Sequence, residues 1–388
     1  MKQVQFEEVL KEPIRNGLTK PKAIRGSGVK MISMGEIFAH NRISKIAMDR
    51  VPVTDKEFSN CSIKAGDLLF ARQSLVLDGA GKCSIVTEAT EDTVFESHLI
   101  RARIDGQKAN PYFLYYYFNS HEGRENIKTI VEQVAAAGIR GSDLIKLWIP
   151  CPDIDIQNQV ASILDAVDRK IELNRKVNDN LQQQAMALYA EMFLNSSNND
   201  VTSGTLSDIA VITMGQSPSG SSYNEDGVGE VFYQGRAEFG FRFPKRRLFT
   251  TEPKRMAVAG DVLLSVRAPV GDLNMAYEKC CIGRGLGAIH SKTGHSSFVL
   301  YTMFALRSQL NVFNGEGTVF GSINRDALNA IPIDVPLVTK IDQFEAVAHP
   351  IDELIRTNYE ENCRLEAIRN SLLPKLMSGE IDVSAIRL

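Results

Sequence analysis

The sequence lacks the patterns that usually mark a catalytic, metal-binding or membrane-spanning protein. Its six cysteines show no C-x-x-C spacing, and its six histidines are scattered without metal-ligand spacing. No apolar run reaches the ~18 residues of a membrane helix, and no signal peptide is visible, so we expect a soluble cytoplasmic protein with reduced thiols. No nucleophile–histidine–aspartate arrangement is recognisable. We therefore predict a protein without a metal or cofactor, and without a catalytic site.

Two glycine-rich stretches are similar to nucleotide-binding motifs but fail on spacing or context. Gly79–Cys83 is similar to the end of a P-loop, yet Val76 replaces its first glycine and Cys83 replaces its Ser/Thr. Gly283–Ala288 fits G-x-G-x-x-A, but no helical pattern follows and no acidic residue lies at the required distance. Neither stretch is interpreted as a nucleotide site.

The dominant feature of the sequence is a helical stretch that occurs twice. In each copy the residues of one face recur at alternating steps of four and three, which is the spacing of a coiled-coil seam. The first seam is Val160, Leu164, Val167, Ile171, Asn174, Asn178, Leu181, Ala185, Leu188 and Met192. A shift of 184 residues gives the second: Phe344, Ala348, Ile351, Ile355, Asn358, Asn362, Leu365, Arg369, Leu372 and Leu376. Neither helix buries its seam alone, so we expect the two to pack on each other.

Two asparagines lie at the same two steps of each seam. A buried amide needs a polar partner, so such residues fix the register of a helix pair at a cost in stability. If the helices are antiparallel about a pseudo-twofold axis, Asn174 faces Asn362 and Asn178 faces Asn358. The alternative is that these side chains face solvent or a third helix.

The remaining sequence divides into two similar globular domains, each followed by a long helix. Strands are predicted at 67–72, 83–86 and 98–103, and a buried helix at 111–118. The second domain repeats the first strand at 259–264. Pro350 should break the second long helix, and Pro374 should bend or end it. The predicted boundaries are a first domain at 1–152, a first long helix at 153–195, a linker at 196–203, a second domain at 204–336, a second long helix at 337–378 and a tail at 379–388.

Each domain contains a local basic patch, although the whole chain has a net charge of only −3. Clustered cations bind phosphates, and Arg, Lys, Gln, Asn or Ser on loops can contact base edges. The alternative for any single arginine is a solvated surface charge. The candidate DNA-binding residues of the first domain are Lys20, Lys22, Arg25, Arg42, Lys45 and Arg72. Those of the second domain are Gln216, Ser217, Ser219, Tyr223, Gln234, Arg236, Arg242, Lys245, Arg246, Arg247, Arg267 and Arg284.

Several stretches of this chain resemble the specificity subunit of Type I restriction–modification systems, and the resemblance extends over nearly the full length. The second domain has the most specific of these stretches, whereas the first domain matches less well. The similar stretches are Gly215–Asn224, Gly260–Asp272, Ile282–Gly285, Pro150–Gln159, Pro332–Gln343 and Leu372–Gly379.

The resemblance implies an α+β protein with two target-recognition domains separated by two long antiparallel coiled-coil helices. Each domain would bind one half of a split, asymmetric site in double-stranded DNA. The helices would bind two modification subunits, which methylate adenine, and the complex would include restriction subunits. Two other hypotheses are a self-sufficient DNA methyltransferase or nuclease, and a coiled-coil scaffold without a nucleic-acid role.

Overall fold

The computed structural model describes residues 2–89, 91–133, 136–195, 201–315 and 321–383. The chain divides into two compact units, Met1–Leu173 with Glu361–Leu388, and Asn174–Glu360. Each unit combines one globular domain with one segment of each long helix. The mixture of helices and sheets agrees with the predicted α+β class.

The first domain is built on a five-stranded sheet in the order β2-β10-β6-β8-β4. Its strands are β1 Gln3–Gln5, β2 Arg15–Asn16, β3 Val29–Ile32, β4 Arg42–Ile43, β5 Asp49–Val51, β6 Leu68–Ala71, β7 Gln73–Ser74, β8 Cys83–Val86, β9 Thr93–Phe95, β10 Leu99–Ala102, β11 Glu132–Gln133, β12 Ala137–Gly138 and β13 Trp148–Pro150. Its helices are α1 Met34–Ala39, α2 Asp55–Cys61, α3 Pro111–Asn119, α4 His121–Lys128 and α5 Gly141–Leu144. The three predicted strands are the adjacent antiparallel strands β10, β6 and β8.

The predicted buried helix of the first domain is α3, whose residues Phe113–Phe118 are all buried. It begins where expected because Pro111 occupies its first turn and Asn110 caps it. The Asn110 side-chain oxygen accepts hydrogen bonds from the amides of Tyr112 (2.8 Å) and Phe113 (3.3 Å). The helix therefore forms the centre of a core that also contains Val160 and Leu164 of the first long helix.

The second domain contains a five-stranded sheet, β16-β18-β17-β22-β19, and a four-stranded sheet, β15-β23-β20-β21. Its strands are β14 Val201–Thr205, β15 Ala210–Met214, β16 Tyr223–Asn224, β17 Glu230–Tyr233, β18 Leu248–Thr250, β19 Met256–Ala257, β20 Val262–Ser265, β21 Leu273–Met275, β22 Cys280–Ile282, β23 Leu286–Ser291 and β24 Pro332–Pro336. Its helices are α7 Leu206–Ile209, α8 Ser296–Ala305, α9 Arg307–Asn311 and α10 Arg325–Asn329. The predicted repeat of the first strand is β20, which lies inside its sheet as β6 does.

The ends of the second domain are paired with each other. Strand β14 is antiparallel to β24, with Val201 opposite Pro336 and Thr205 opposite Pro332. The linker was predicted at 196–203, but residues 201–203 belong to β14. Residues 196–200 lie outside the described residues. The pairing holds because both segments are extended and bury Pro336. The chain thus enters and leaves this domain through adjacent strands.

The two long helices are α6 (Ile154–Tyr189), which continues as a π-helical turn through Leu194, and α11 (Val338–Ser378). The predicted break at Pro350 was wrong, and the helix also continues past Pro374. Proline removes one backbone donor and costs about 3 kcal/mol in a helix interior. Burial of Phe344, Ala348 and Ile355 on both sides of Pro350 offsets that cost, because the seam remains packed only if the helix is continuous.

Segments of the two helices are antiparallel within each unit. In the first unit, Asp168 accepts a hydrogen bond from Arg369 (2.7 Å), and Lys170 pairs with Glu361 (3.0 Å). A residue later in α6 therefore pairs with a residue earlier in α11, as antiparallel helices require. In the second unit, Asn178 lies against Asn358, and the Tyr189 ring centroid is 5.6 Å from that of Phe344. Residues further along α6 again meet earlier residues of α11.

The seam asparagines Asn178 and Asn358 are joined directly in the second unit. Asn358 Nδ2 donates to Asn178 Oδ1 at 2.7 Å, and Asn178 Nδ2 donates to the Ile355 carbonyl at 3.3 Å. Asn178, Asn174 and Asn362 are all buried. These contacts satisfy the Asn178 amide at both ends without a third helix.

Replacing Asn178 with alanine is expected to lower the free energy of unfolding by about 1–3 kcal/mol, because the Asn358 amide loses its acceptor. Replacing both Asn178 and Asn358 with leucine should recover most of that loss, since no buried polar group is left unpaired. Urea unfolding of the two variants measures the difference. A double variant that is less stable than the single variant would contradict this account.

Candidate nucleic-acid interface

Three separate loops of the second domain meet at one surface. The loop that begins at Gly215 is joined to β22 by the hydrogen bond from the Gln216 amide to the Ile282 carbonyl (2.9 Å). The Arg284 amide donates to Ser217 Oγ at 3.2 Å, and the Gly285 amide donates to the Gln234 carbonyl at 3.1 Å. These bonds bring two of the sequence stretches that showed the family resemblance into contact.

Glycine makes this approach possible. A Cβ atom on Gly215 would lie 2.1 Å from the Gly283 carbonyl oxygen, and one on Gly283 would lie 2.8 Å from the Gln234 Cα. Any larger residue would force the three loops apart. The glycines of the Ile282–Gly285 stretch therefore serve loop packing.

The side chains at this surface are polar and exposed. Gln216, Gln234, Arg267 and Arg284 are exposed, and Ser217 is half-buried. Arg267 belongs to the group because the neighbouring Val266 amide donates to the Gly285 carbonyl at 3.0 Å. Neither Arg267 nor Arg284 has a carboxylate partner within the described ranges. We call Gln216, Ser217, Gln234, Arg267 and Arg284 the polar cluster.

Most other predicted arginines of the second domain are paired with carboxylates. Arg236 pairs with Asp272 and Arg246 with Glu278. Arg247 donates to Glu238 at 2.5 Å and Glu225 at 3.3 Å. These pairs cancel much of the positive charge that the sequence suggested.

The remaining predicted residues of the second domain differ in exposure. Lys245 is exposed and has no ion-pair partner among the described residues. Ser219 is exposed beside Ser221, with their hydroxyl oxygens 2.8 Å apart. Tyr223 donates to the Pro218 carbonyl at 3.0 Å and packs on the Phe232 ring, so its hydroxyl shapes the loop. Of these, Lys245 adds to the free positive charge of the domain.

Arg242 does not lie on the exposed surface. Its side chain is only 2% exposed, and it donates to Asp352 at 2.6 Å and to Gln182 at 3.1 Å. Tyr301 also donates to Asp352, at 2.9 Å. The prediction that Arg242 contacts DNA does not fit this environment, because a phosphate would have to displace a buried carboxylate. Arg242 instead joins the second domain to segments of both long helices.

The first unit contains an equivalent arrangement around Arg42. Its side chain is 8% exposed and lies against Asp165 (2.8 Å), Glu172 (2.6 Å) and Asp168 (3.9 Å) of α6. Tyr116 donates to Asp168 at 2.8 Å, as Tyr301 does to Asp352. Asp168 and Asp352 are related by the 184-residue repeat. Arg42 is therefore also a structural residue, and its predicted role in binding DNA does not fit its burial.

Burial and neighbouring charges shift the pKa values of side chains at both junctions. Burial opposes the charge on Arg42, but Glu172, Tyr116 and Asp165 raise its pKa above the ordinary value. Burial raises the pKa of Tyr116, and the nearby Asp168 carboxylate raises it further. Burial likewise raises the pKa of Tyr301. Both tyrosines therefore stay protonated and donate to their aspartates. Sequence reasoning missed these tyrosines because they lie about 50 residues from their partners.

Three of the predicted basic residues of the first domain are paired with carboxylates. Lys20 pairs with Glu57 (2.9 Å), Arg25 with Asp49 (3.0 Å) and Lys45 with Glu88 (3.4 Å). Lys22 is exposed and Arg72 is half-buried, and neither has a carboxylate partner in the described part of the chain. Arg72 follows β6 as Arg267 follows β20. Counted from Gly66 and Gly260 at the start of these strands, however, the residue that corresponds to Arg267 is Gln73, next to Arg72.

Within the described ranges, no helix combines the length and apolarity needed to cross a bilayer. In the same ranges, no group of three or more His, Cys, Asp or Glu side chains is arranged to hold a metal ion.

The fold and the polar cluster define a class of protein: an internally duplicated α+β chain whose repeated domains are anchored on long helices. A profile of the family described as "Type I restriction modification DNA specificity domain" matches this chain twice, at residues 3–183 and 198–366. The chain belongs to that family.

Curated relatives and a solved structure agree with this assignment. The chain is 29% identical to the putative type I restriction enzyme MjaX specificity subunit of Methanocaldococcus jannaschii, over 98% of this chain and 93% of the relative. It is 22% identical to the HindI specificity subunit of Haemophilus influenzae, over 82% and 87% of the two chains. The S subunit of a Type-I restriction-modification system from M. genitalium has a similar fold, with a TM-score of 0.58 at 16% identity, over 97% of this chain and 95% of that one.

Proposed function

We propose that this chain is the DNA-sequence-recognition subunit of a Type I restriction–modification complex. Each domain binds one half of a bipartite, asymmetric site in double-stranded DNA. The family assignment supports this role, since the matched description is a DNA specificity domain and the match occurs once per domain. No catalytic residue and no cofactor is part of the proposal.

The polar cluster of the second domain is the observation that supports DNA recognition most directly. Arginine contacts guanine and glutamine contacts adenine in the major groove, while serine accepts or donates to either base. The cluster presents two glutamines, a serine and two arginines that have no carboxylate partner among the described residues, on loops held by backbone hydrogen bonds. Preorganised loops of this kind suit base contacts better than a flexible basic tail would.

The long helices serve as a spacer and a scaffold in this proposal. The antiparallel segments in each unit, and the seam asparagines Asn174, Asn178, Asn358 and Asn362, support an antiparallel coiled coil that separates the two domains. Two half-sites about one helical turn of DNA apart, roughly 34 Å, would suit two linked domains. The same helices bind two modification subunits, and the restriction subunits join that complex.

The test is a DNA-binding assay on the chain co-purified with the modification subunit of its own system. The complex is expected to select one bipartite sequence from randomised duplexes, and adenines in that sequence should be methylated in cells with the intact system. The chain alone should neither methylate nor cut DNA, which distinguishes this role from a self-sufficient enzyme. A complex that retains no DNA would favour the pure scaffold and refute the proposal.

A further inference from the structure

A loop of the first domain exposes consecutive apolar side chains. It follows β7 and ends at Gly79, and its residues Leu75, Val76 and Leu77 are 97%, 63% and 45% exposed. Phe38 lies beside the loop, since a Cβ atom built on Gly79 would be 3.1 Å from its ring. The Phe38 side chain is also 40% exposed. Single exposed apolar residues are common, but a contiguous group usually marks a contact surface. We call Phe38, Leu75, Val76 and Leu77 the apolar tip.

Hydrogen bonds hold this loop in place. The Val76 amide donates to Ser74 Oγ at 3.1 Å. Arg124 Nη2 donates to the carbonyls of Asp78 (2.8 Å) and Ala80 (3.0 Å). The exposure of Leu75 is therefore a feature of a preorganised loop, and its side chain can enter a binding partner with little loss of entropy.

The neighbours of the apolar tip favour DNA as its partner. Gln73 is exposed, and the half-buried Arg72 precedes it without a carboxylate partner in the described ranges. The Lys82 ammonium lies 5.3 Å from the Phe38 ring centroid. Apolar, amide and cationic side chains together match a base edge flanked by phosphates. Thymine is the base that presents a methyl group in the major groove.

The second domain has a loop at the equivalent position. Arg267, Ala268 and Pro269 follow β20 and are all exposed. Arg267 forms a β-bridge with Ser322, just as Gln73 of β7 pairs with Gly138 of β12. The second-domain loop includes a residue of the polar cluster. The correspondence between the domains therefore supports assigning the apolar tip to the surface with which the first domain would bind DNA.

We propose that Leu75 is a specificity-determining residue whose side chain contacts the C5 methyl group of a thymine in the half-site bound by the first domain. This inference rests on the proposed function and specifies which base Leu75 contacts and which atom of that base. Leu75 makes this contact as an apolar group, while Gln73 beside it is free to bond an adjacent base edge.

The experiment uses the chain in complex with its modification subunit and the bipartite sequence that the complex selects. Each thymine of that sequence is replaced in turn by deoxyuridine, which lacks only the methyl group. One replacement in one half-site should weaken binding by the wild-type complex about three- to tenfold. Leu75→Ala should bind the thymine and deoxyuridine duplexes equally, whereas Leu75→Met should keep the preference.

The matched control is Val228→Ala, which changes an apolar residue of the second domain that is 57% exposed. This variant should keep the thymine preference in the half-site bound by the first domain. Leu75 is 97% exposed, so its substitution should leave the fold intact. A Leu75→Ala complex that still discriminates thymine overturns the inference. So does a Leu75→Ala chain that no longer assembles with the modification subunit, since the tip would then be a protein contact. If the wild-type complex selects no sequence, the proposed function itself fails.

Discussion

Replacing Asp352 with alanine is expected to lower the free energy of unfolding by about 3–5 kcal/mol, because it leaves a buried guanidinium without its carboxylate. Arg242 is 2% exposed, and its other side-chain partners include Gln182 and Tyr301, which are neutral. Urea unfolding followed by circular dichroism measures the loss. We expect it to be among the largest effects of any single substitution in this chain.

Asp168→Ala in the first unit is the matched control for Asp352→Ala. Arg42 keeps Asp165 and Glu172 when Asp168 is removed, and Arg369, which also loses Asp168, is 28% exposed, so the loss should be smaller. The double variant Arg242→Leu with Asp352→Leu should recover much of the stability, since Arg242 Nε and Asp352 Oδ2 have no hydrogen-bond partner among the described residues. Equal losses in the two single alanine variants would contradict this explanation.

Replacing Arg267 and Arg284 with glutamine should weaken binding of the selected DNA by about 10- to 100-fold for each residue. Both arginines are exposed and lack carboxylate partners in the described ranges, so their full charge and all their donors are available. The slope of log affinity against log salt should fall by about one for each phosphate contact that is lost. Gel-shift titration of the assembled complex at several salt concentrations provides both quantities.

Arg247→Gln is the comparison for those two variants. Arg247 is already paired with Glu238 and Glu225, so its removal should change affinity and salt dependence much less. Circular dichroism is the check that all three variants are folded. If Arg247→Gln weakens binding as strongly as Arg284→Gln does, the polar cluster is not the principal contact surface.

The sequence was most informative where structure depends on periodicity. The two long helices and the strands β6, β8, β10 and β20 follow from local apolar patterns, and each lies where such a pattern was found. The Pro350 prediction failed because the local cost of proline in a helix, about 3 kcal/mol, is opposed by burial along the whole seam. That burial can be judged only when the partner helix is known. Local rules therefore predicted where helices and strands occur better than they predicted where a helix is interrupted.

Charge patterns were less informative about which arginines are free. Arg246 and Arg247 are adjacent in sequence, but their carboxylate partners lie up to 32 residues away. Arg42 and Arg242 were counted among surface cations, although each is buried against helix carboxylates. Pairing and burial depend on the tertiary fold, so a single sequence could indicate only that both domains contain clustered cations.

The pairing of β14 with β24 has a consequence for how the second domain can be exchanged between related genes. Because the two borders of the second domain are hydrogen-bonded neighbours, Val201 opposite Pro336, everything between them forms a closed cassette. A recombination event that exchanges this cassette for another would leave the flanking helices unchanged if the new cassette kept the same border strands and the residues that contact α6 and α11, such as Arg242 and Tyr301. New target sequences can then arise by shuffling whole cassettes, without the slow accumulation of compensating point mutations.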